Sequence, residues 1–215
     1  MLIVKAILLV ILAYLVGSFP TGYLIGKIFF HKDIRQYGSG NTGATNSFRV
    51  FGPAAGACVL AVDVLKGTLA SLLPVIFHLN GPHYLVLVFG FIGVFGHVFS
   101  CFLHFHGGKA VATSAGILLG YNPAFFGVCA ALFIPLVLIT STVSLSSLLT
   151  AVLAFIATFF FHDWILTAGM GLIVIILFAR HQANIHRLEH HKENIMPFGL
   201  YYHYKKKHQD QDHQN

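Results

Sequence analysis

Charge is what this sequence most lacks: 9% of its 215 residues are Asp, Glu, Lys or Arg, where an ordinary soluble domain carries about 25%. That leaves too little polar surface to cover a water-soluble globule. Cysteine is scarce as well. Cys58, Cys101 and Cys129 lie inside apolar stretches at unrelated spacings with no CxxC pair, which excludes a zinc or dithiol site and leaves them as packing residues. No glycine run ends in GK[ST], which excludes a Walker loop. The chain has 14 histidines, yet none stands in a zinc set such as HExxH, so no metal is expected. No repeat of fixed period is present.

Apolar sequence is abundant: 56% of the residues are hydrophobic and the mean hydropathy is +0.77. Lipid is the expected solvent, and backbone groups in lipid must be satisfied within helices or a closed barrel. The runs are too long and continuous for barrel strands. They lie at about 2–28, 53–78, 84–104, 111–121, 123–140, 147–161 and 164–179, separated by turn residues such as Asn80-Gly81-Pro82, Gly107-Gly108, Asn122-Pro123 and the Ser141 to Ser147 stretch. The first run, from Leu2 to about Phe30, reads as a span rather than a cleavable signal, since more spans follow and no clear small-residue cleavage site is seen. The segment 111–121 is barely half the roughly 20 residues a crossing needs.

Charge placement decides the parity. Eleven of the 13 cations fall in the first and third connections and the tail. Seven crossings put all three on one side, which the positive-inside tendency makes cytoplasmic. The expected fold is therefore all-α: a polytopic bundle of seven transmembrane helices, N-terminus outside and C-terminus cytoplasmic, with 111–121 short, tilted or partly re-entrant. Residues 1–197 form the membrane domain and 198–215 a polar basic tail. The Tyr201 to Lys207 cluster suits headgroup-level anchoring and anionic lipid better than nucleic acid, which is not an expected partner.

Three polar clusters are expected on the cytoplasmic face. In the first, Gly38, Gly40 and Gly43 let the backbone approach an anion, Ser39, Asn41, Thr42, Thr45 and Asn46 add neutral donors, and Arg49 supplies a guanidinium fork; alternatively it is a polar connector with Thr45 or Asn46 as a helix cap. In the second, Gly107 and Gly108 precede Lys109 and a helix start running through Thr113, which would aim backbone donors and an ammonium at one anion; alternatively it is a glycine turn with a snorkelling lysine. The third follows the last span: Arg180, Asn184 and Arg187 share a helical face, as do His181 and Asn184, and the cluster continues to Glu193. Ser141, Ser144, Ser146 and Ser147 form a further polar patch. Asp63 and Lys66, three apart in the second apolar run, are expected to neutralise each other or contact substrate.

In this order the motifs resemble the acyl-phosphate:glycerol-3-phosphate acyltransferase family (the PlsY family) over nearly the whole chain. The resemblance rests on Gly17-Ser18-Phe19-Pro20-Thr21-Gly22-Tyr23, Gly38-Ser39-Gly40-Asn41, Gly43-Ala44-Thr45-Asn46 with Arg49, Asp63 to Gly67, Gly96-His97, Gly107-Gly108-Lys109, Ser144-Leu145-Ser146-Ser147 and Arg180-His181 with Asn184-Ile185 and Arg187-Leu188. Two positions depart from it: Ala110 where the family usually has glycine, and His191 where a glycine commonly precedes the final glutamate.

The resemblance implies a bacterial inner-membrane enzyme moving a fatty acyl chain from acyl phosphate to the 1-hydroxyl of glycerol 3-phosphate, giving lysophosphatidic acid and phosphate. It implies no cofactor, and contact with membrane lipid and with the enzyme that supplies acyl phosphate. None of the histidines has an aspartate five residues on, so the His-x4-Asp base of the soluble-headed acyltransferases is absent. Direct attack on the activated anhydride is expected instead. Ser39, Lys109 and the loop amides would hold acyl phosphate, while Arg49, Ser144, His181 and Asn184 bind glycerol 3-phosphate. Gly38, Gly40, Asn41, Thr45, Asn46, Gly107, Gly108, Thr113, Arg180, Arg187 and Glu193 complete the expected substrate contacts. A carrier for an organic phosphate and a lipid-associated scaffold are the alternatives.

Overall fold

Pro20 divides the first apolar run into two helices, since it lacks an N–H and its ring crowds the carbonyl one turn back. In the computed structural model, which describes residues 2–212 and the side chains of residues 2–207, α1 (Leu2–Ser18) and α2 (Thr21–Phe29) meet at a bend of 47°. The single span expected from Leu2 to Phe30 is thus a broken one. The carbonyls freed by the break find donors: Ser100 Oγ donates to Ser18 O at 2.6 Å and Lys66 Nζ to Phe19 O at 2.9 Å.

The remaining helices are α3 (Ala44–Phe51), α4 (Pro53–Ile76), α5 (Leu85–Val98), α6 (Val111–Tyr121), α7 (Pro123–Thr140), α8 (Val143–Thr158), α9 (Trp164–Arg180), α10 (Gln182–Glu189) and α11 (Leu200–Asp212). Among the described residues four helical segments are long and apolar enough to cross a membrane, or up to six if each bent pair counts as one span. The protein is a multi-pass helical membrane protein. At a rise of 1.5 Å per residue α6 is only about 16 Å long, half the hydrocarbon core. The chain divides into two units, residues 1–126 and 127–215.

In the first unit α1, α4, α5 and α6 pack together. Leu9 and Ala13 of α1 meet Ala70 and Leu73 of α4 and Phe89 of α5 in a buried cluster. The backbones of α4 and α6 approach so closely that a Cβ on Gly67 would strike the Thr113 carbonyl and one on Gly116 the Val64 carbonyl. Small residues permit such approach where lipid offers no hydrophobic drive between helices. Asp63 and Lys66 of α4 are paired at 2.7 Å with side chains 4% and 6% exposed, and Thr21 Oγ1 donates to Asp63 Oδ1. The mutual neutralisation expected of them is what the geometry displays.

In the second unit α8 packs on α9. Buried Leu148, Ala151 and Ala154 on one, and Leu166, Met170, Ile173 and Leu177 on the other, repeat at helical spacing. Three expectations are corrected here. α8 begins at Val143, not at about 147, because Ser146 Oγ and Ser147 Oγ bond the carbonyls of Thr142 and Val143 and so join the helix. α9 stops at Arg180, and α10 leaves it at 64°, so Arg180 does not share a helical face with Asn184 and Arg187. The residue of the bend, His181, caps it by donating its backbone N–H to Phe178 O. The tail is helical over Leu200–Asp212 rather than merely polar, with Tyr202 N–H donating to Ser141 Oγ. Of the tail histidines, His213 and the side chain of His208 lie outside the described residues.

Candidate functional site

The first polar cluster is organised by Asn46. This side chain, on α3 and 1% exposed, accepts from Ser39 N–H at 2.9 Å and donates to the carbonyls of Tyr37 and Asn41 at 3.0 and 2.9 Å. Its hydrogen-bonding capacity is spent on shaping the loop, which corrects its expected role as a substrate donor. It also is not a helix cap; Gly43 occupies that position, without a capping side chain. Gly38 has φ +59° and lies so close to Asn46 Oδ1 that a Cβ would collide with it, so glycine is required there.

The loop amides are committed too. Gly40 N–H donates to Tyr37 O and Gly43 N–H to Asn41 Oδ1. The amides of Ser39, Gly40 and Gly43 are thus engaged within the loop, while the side chains of Ser39 and Arg49 are exposed and Thr45 is half-buried on the first turn of α3.

Upstream, Asp33 accepts Arg35 Nε and Nη2 at 3.0 and 2.7 Å and the Arg35 amide at 3.1 Å. The Arg35 side-chain hydrogen bonds hold the Asp33 carboxyl below its ordinary value of 3.8. A lowered folded value means that this contribution to stability is present above 3.8 and lost as pH falls through the folded value. Asp33→Asn should therefore lower the thermal midpoint at about pH 6 and narrow its difference from the wild type towards about pH 3; equal offsets at both would exclude the linkage.

The second cluster follows a similar rule. Gly107 N–H donates to Val98 O at 2.9 Å and Gly108 N–H to His97 O at 3.1 Å, so these amides anchor the turn instead of facing a ligand. Ala110 precedes α6 in the left-handed region, φ +65°, and no side chain caps the helix. Glycine's preference for that region accounts for the family's usual residue at this position. Ala110→Gly should raise stability by about 0.5–1 kcal/mol, read as a higher thermal midpoint in detergent; a lower midpoint would show the methyl group to be packed rather than strained. Lys109 is half-buried beside the turn. Thr113, expected as a substrate contact, is fully buried where α6 meets α4 and serves packing.

The third cluster converges on Glu193. Its Oε1 accepts from Ser144 Oγ at 3.1 Å and Asn184 Nδ2 at 2.7 Å, and its Oε2 from Arg187 Nε at 2.8 Å. Its side chain is 8% exposed. Helices α8 and α10 thus present three donors that the carboxylate of a following loop fixes in place. Glu193 accepts from all three and so fixes their orientation. Nearby in sequence, His181 is 2% exposed and its Nδ1 lies 2.8 Å from Leu177 O. A carbonyl only accepts, so Nδ1 carries a proton, and in the neutral imidazole Nε2 is then the nitrogen with the lone pair. Arg180 is the last residue of α9, before the bend.

Helices too apolar for water, with glycine turns and an exposed guanidinium in the first unit and an oriented histidine in the second, define a multi-pass membrane protein with polar clusters suited to anionic groups. A family model described as glycerol-3-phosphate acyltransferase matches residues 7–191. Glycerol-3-phosphate acyltransferase 2 of Lactobacillus johnsonii is 63% identical over 202 residues, 94% of this chain and 93% of the relative. The glycerol-3-phosphate acyltransferase of Latilactobacillus sakei is 55% identical over 94% of this chain and 98% of its own length. The crystal structure of PlsY (YgiH), an integral membrane glycerol 3-phosphate acyltransferase in its glycerol 3-phosphate form, superimposes with a TM-score of 0.82 at 32% identity, covering 89% of this chain and 95% of that one. Its lysophosphatidic acid form gives 0.79. The chain belongs to the glycerol-3-phosphate acyltransferase family of the PlsY type, and it is a membrane acyltransferase of lipid biosynthesis.

Proposed function

We propose that the residues described above divide one reaction: transfer of a fatty acyl group from acyl phosphate to the 1-hydroxyl of glycerol 3-phosphate, giving lysophosphatidic acid and inorganic phosphate, the first acylation of phospholipid synthesis. The hydroxyl oxygen attacks the acyl carbonyl carbon, the bond from that carbon to the phosphate oxygen breaks, and phosphate leaves with the electron pair. The proton passes to His181 Nε2 or to the departing phosphate. The donor is already an activated anhydride, so neither a covalent intermediate nor a cofactor is needed, and positioning with charge stabilisation suffices.

The observation that carries this reading is the orientation of His181, whose Nδ1 is tied to Leu177 O at 2.8 Å, in the cluster-bearing segment where Glu193 aligns Ser144, Asn184 and Arg187. Lys109 and Ser39, with the uncapped first turn of α6, hold acyl phosphate. Arg49, Ser144, His181 and Asn184 bind glycerol 3-phosphate, with Thr45, Asn41 and Arg187 in supporting contact.

The chain crosses the plasma (inner) membrane seven times with its N-terminus outside, α6 being the short crossing, and its site and C-terminus face the cytoplasm. Residues 1–197 carry the activity and 198–215 form the tail. Membrane lipid surrounds the bundle, and the enzyme that produces acyl phosphate docks at the same face.

Detergent-purified protein given labelled glycerol 3-phosphate with palmitoyl phosphate or palmitoyl-CoA tests this. Labelled lysophosphatidate should form from acyl phosphate alone, with phosphate released in step. Arg49→Ala and Lys109→Ala should each lower the rate by about 10²-fold or more. Lipid product from neither donor, in folded protein, would overturn the reading.

A further inference from the structure

Helix α10 has a second working face. Asn184 and Arg187 point to Glu193, while His186, Glu189 and His190 are exposed, and one ligand atom from each lies within 4.8 Å of the others. The spacing i, i+3, i+4 puts all three on one side of the helix. The rings of His186 and His190 stand 4.3 Å apart between centroids. His190 Nδ1 lies 2.8 Å from His186 O; since the carbonyl can only accept, Nδ1 carries the hydrogen and Nε2 has its lone pair to offer. A metal-binding histidine is commonly oriented by such a backbone bond from its other nitrogen. Arg187, the cation nearest in sequence, is turned away and neutralised by Glu193 at 2.8 Å.

We infer that His186, Glu189 and His190 form a site for a borderline-soft divalent metal of the Zn²⁺ class, distinct from the acyl-transfer residues and independent of that reading. Two imidazoles and a carboxylate are a zinc ligand set, with water completing the tetrahedron. Zn–N bonds of about 2.0 Å place ligand atoms about 3.4 Å apart, so the exposed side chains close inward by rotation. Occupancy staples the last turn of α10, the turn that carries Arg187.

Zn²⁺ binding to the full-length protein, purified without a histidine tag, is measured by calorimetry, with Co²⁺ substituted to read coordination by visible absorption. The wild type should bind Zn²⁺ saturably with a raised thermal midpoint, and Mg²⁺ should not compete. Affinity should fall roughly tenfold or more in the double variant His186→Ala, His190→Ala and by a smaller factor in Glu189→Gln, with acyl transfer in the absence of metal unchanged. No saturable binding to the wild type, equal affinity in the double variant because other histidines hold the ion, or competition by Mg²⁺ would overturn the site.

Discussion

Lys66→Met should cost the detergent-solubilised protein about 3–5 kcal/mol and loosen the junction of α1 and α2. Three interactions end on this ammonium and its partner: the 2.7 Å pair with Asp63, the 2.9 Å bond to Phe19 O, and, through Asp63, the bond from Thr21 Oγ1. Removing the cation leaves a buried carboxylate uncompensated and the Phe19 carbonyl with the Thr21 N–H alone, both in a region with little water. Asp63→Asn combined with Lys66→Met removes both charges and should recover much of the loss. Thermal unfolding in one detergent reads all three proteins. A single variant within about 1 kcal/mol of the wild type, or a double variant no better than the single, would show that the pair does not hold the break.

Glu193→Ala should lower kcat/KM for glycerol 3-phosphate by about 10²-fold, with a thermal midpoint close to that of the wild type. Ser144, Asn184 and Arg187 all donate to this carboxylate, and without it each is free to rotate away from the geometry that the proposed glycerol 3-phosphate site requires. Glu193→Gln keeps an oxygen for Ser144 and Asn184 while losing the charge that faces Arg187, so its loss should be nearer tenfold. Initial rates of labelled lysophosphatidate formation over a range of glycerol 3-phosphate concentrations separate the two. Unchanged kinetics in Glu193→Ala would mean that the three donors hold their positions unaided.

How much was legible beforehand differs from residue to residue, and for physical reasons. The pairing of Asp63 with Lys66 followed from the cost of isolated charge among apolar residues. Its second task, supporting the break at Pro20, depends on Phe19, 47 positions from Lys66, and no local pattern expresses that. Asn46 read as a phosphate donor because its amide suits one; it is a loop organiser because Ser39, Tyr37 and Asn41 reach it first. Thr113 read as a site residue from its position after Lys109, but its side of α6 meets α4. That Glu193 gathers Ser144, 49 residues away, with Asn184 and Arg187 is not expressed by any local pattern.

By itself the sequence determined the solvent, the helical class and the chemistry: apolar runs admit only helices in lipid, and clustered glycine, hydroxyl and cationic residues suit phosphate wherever they fold. The tertiary structure decided where the helices break, which amides remain available and which side chains hold others in place. These depend on donors and acceptors far apart in the chain, and a buried polar group takes whichever partner the packing brings within reach.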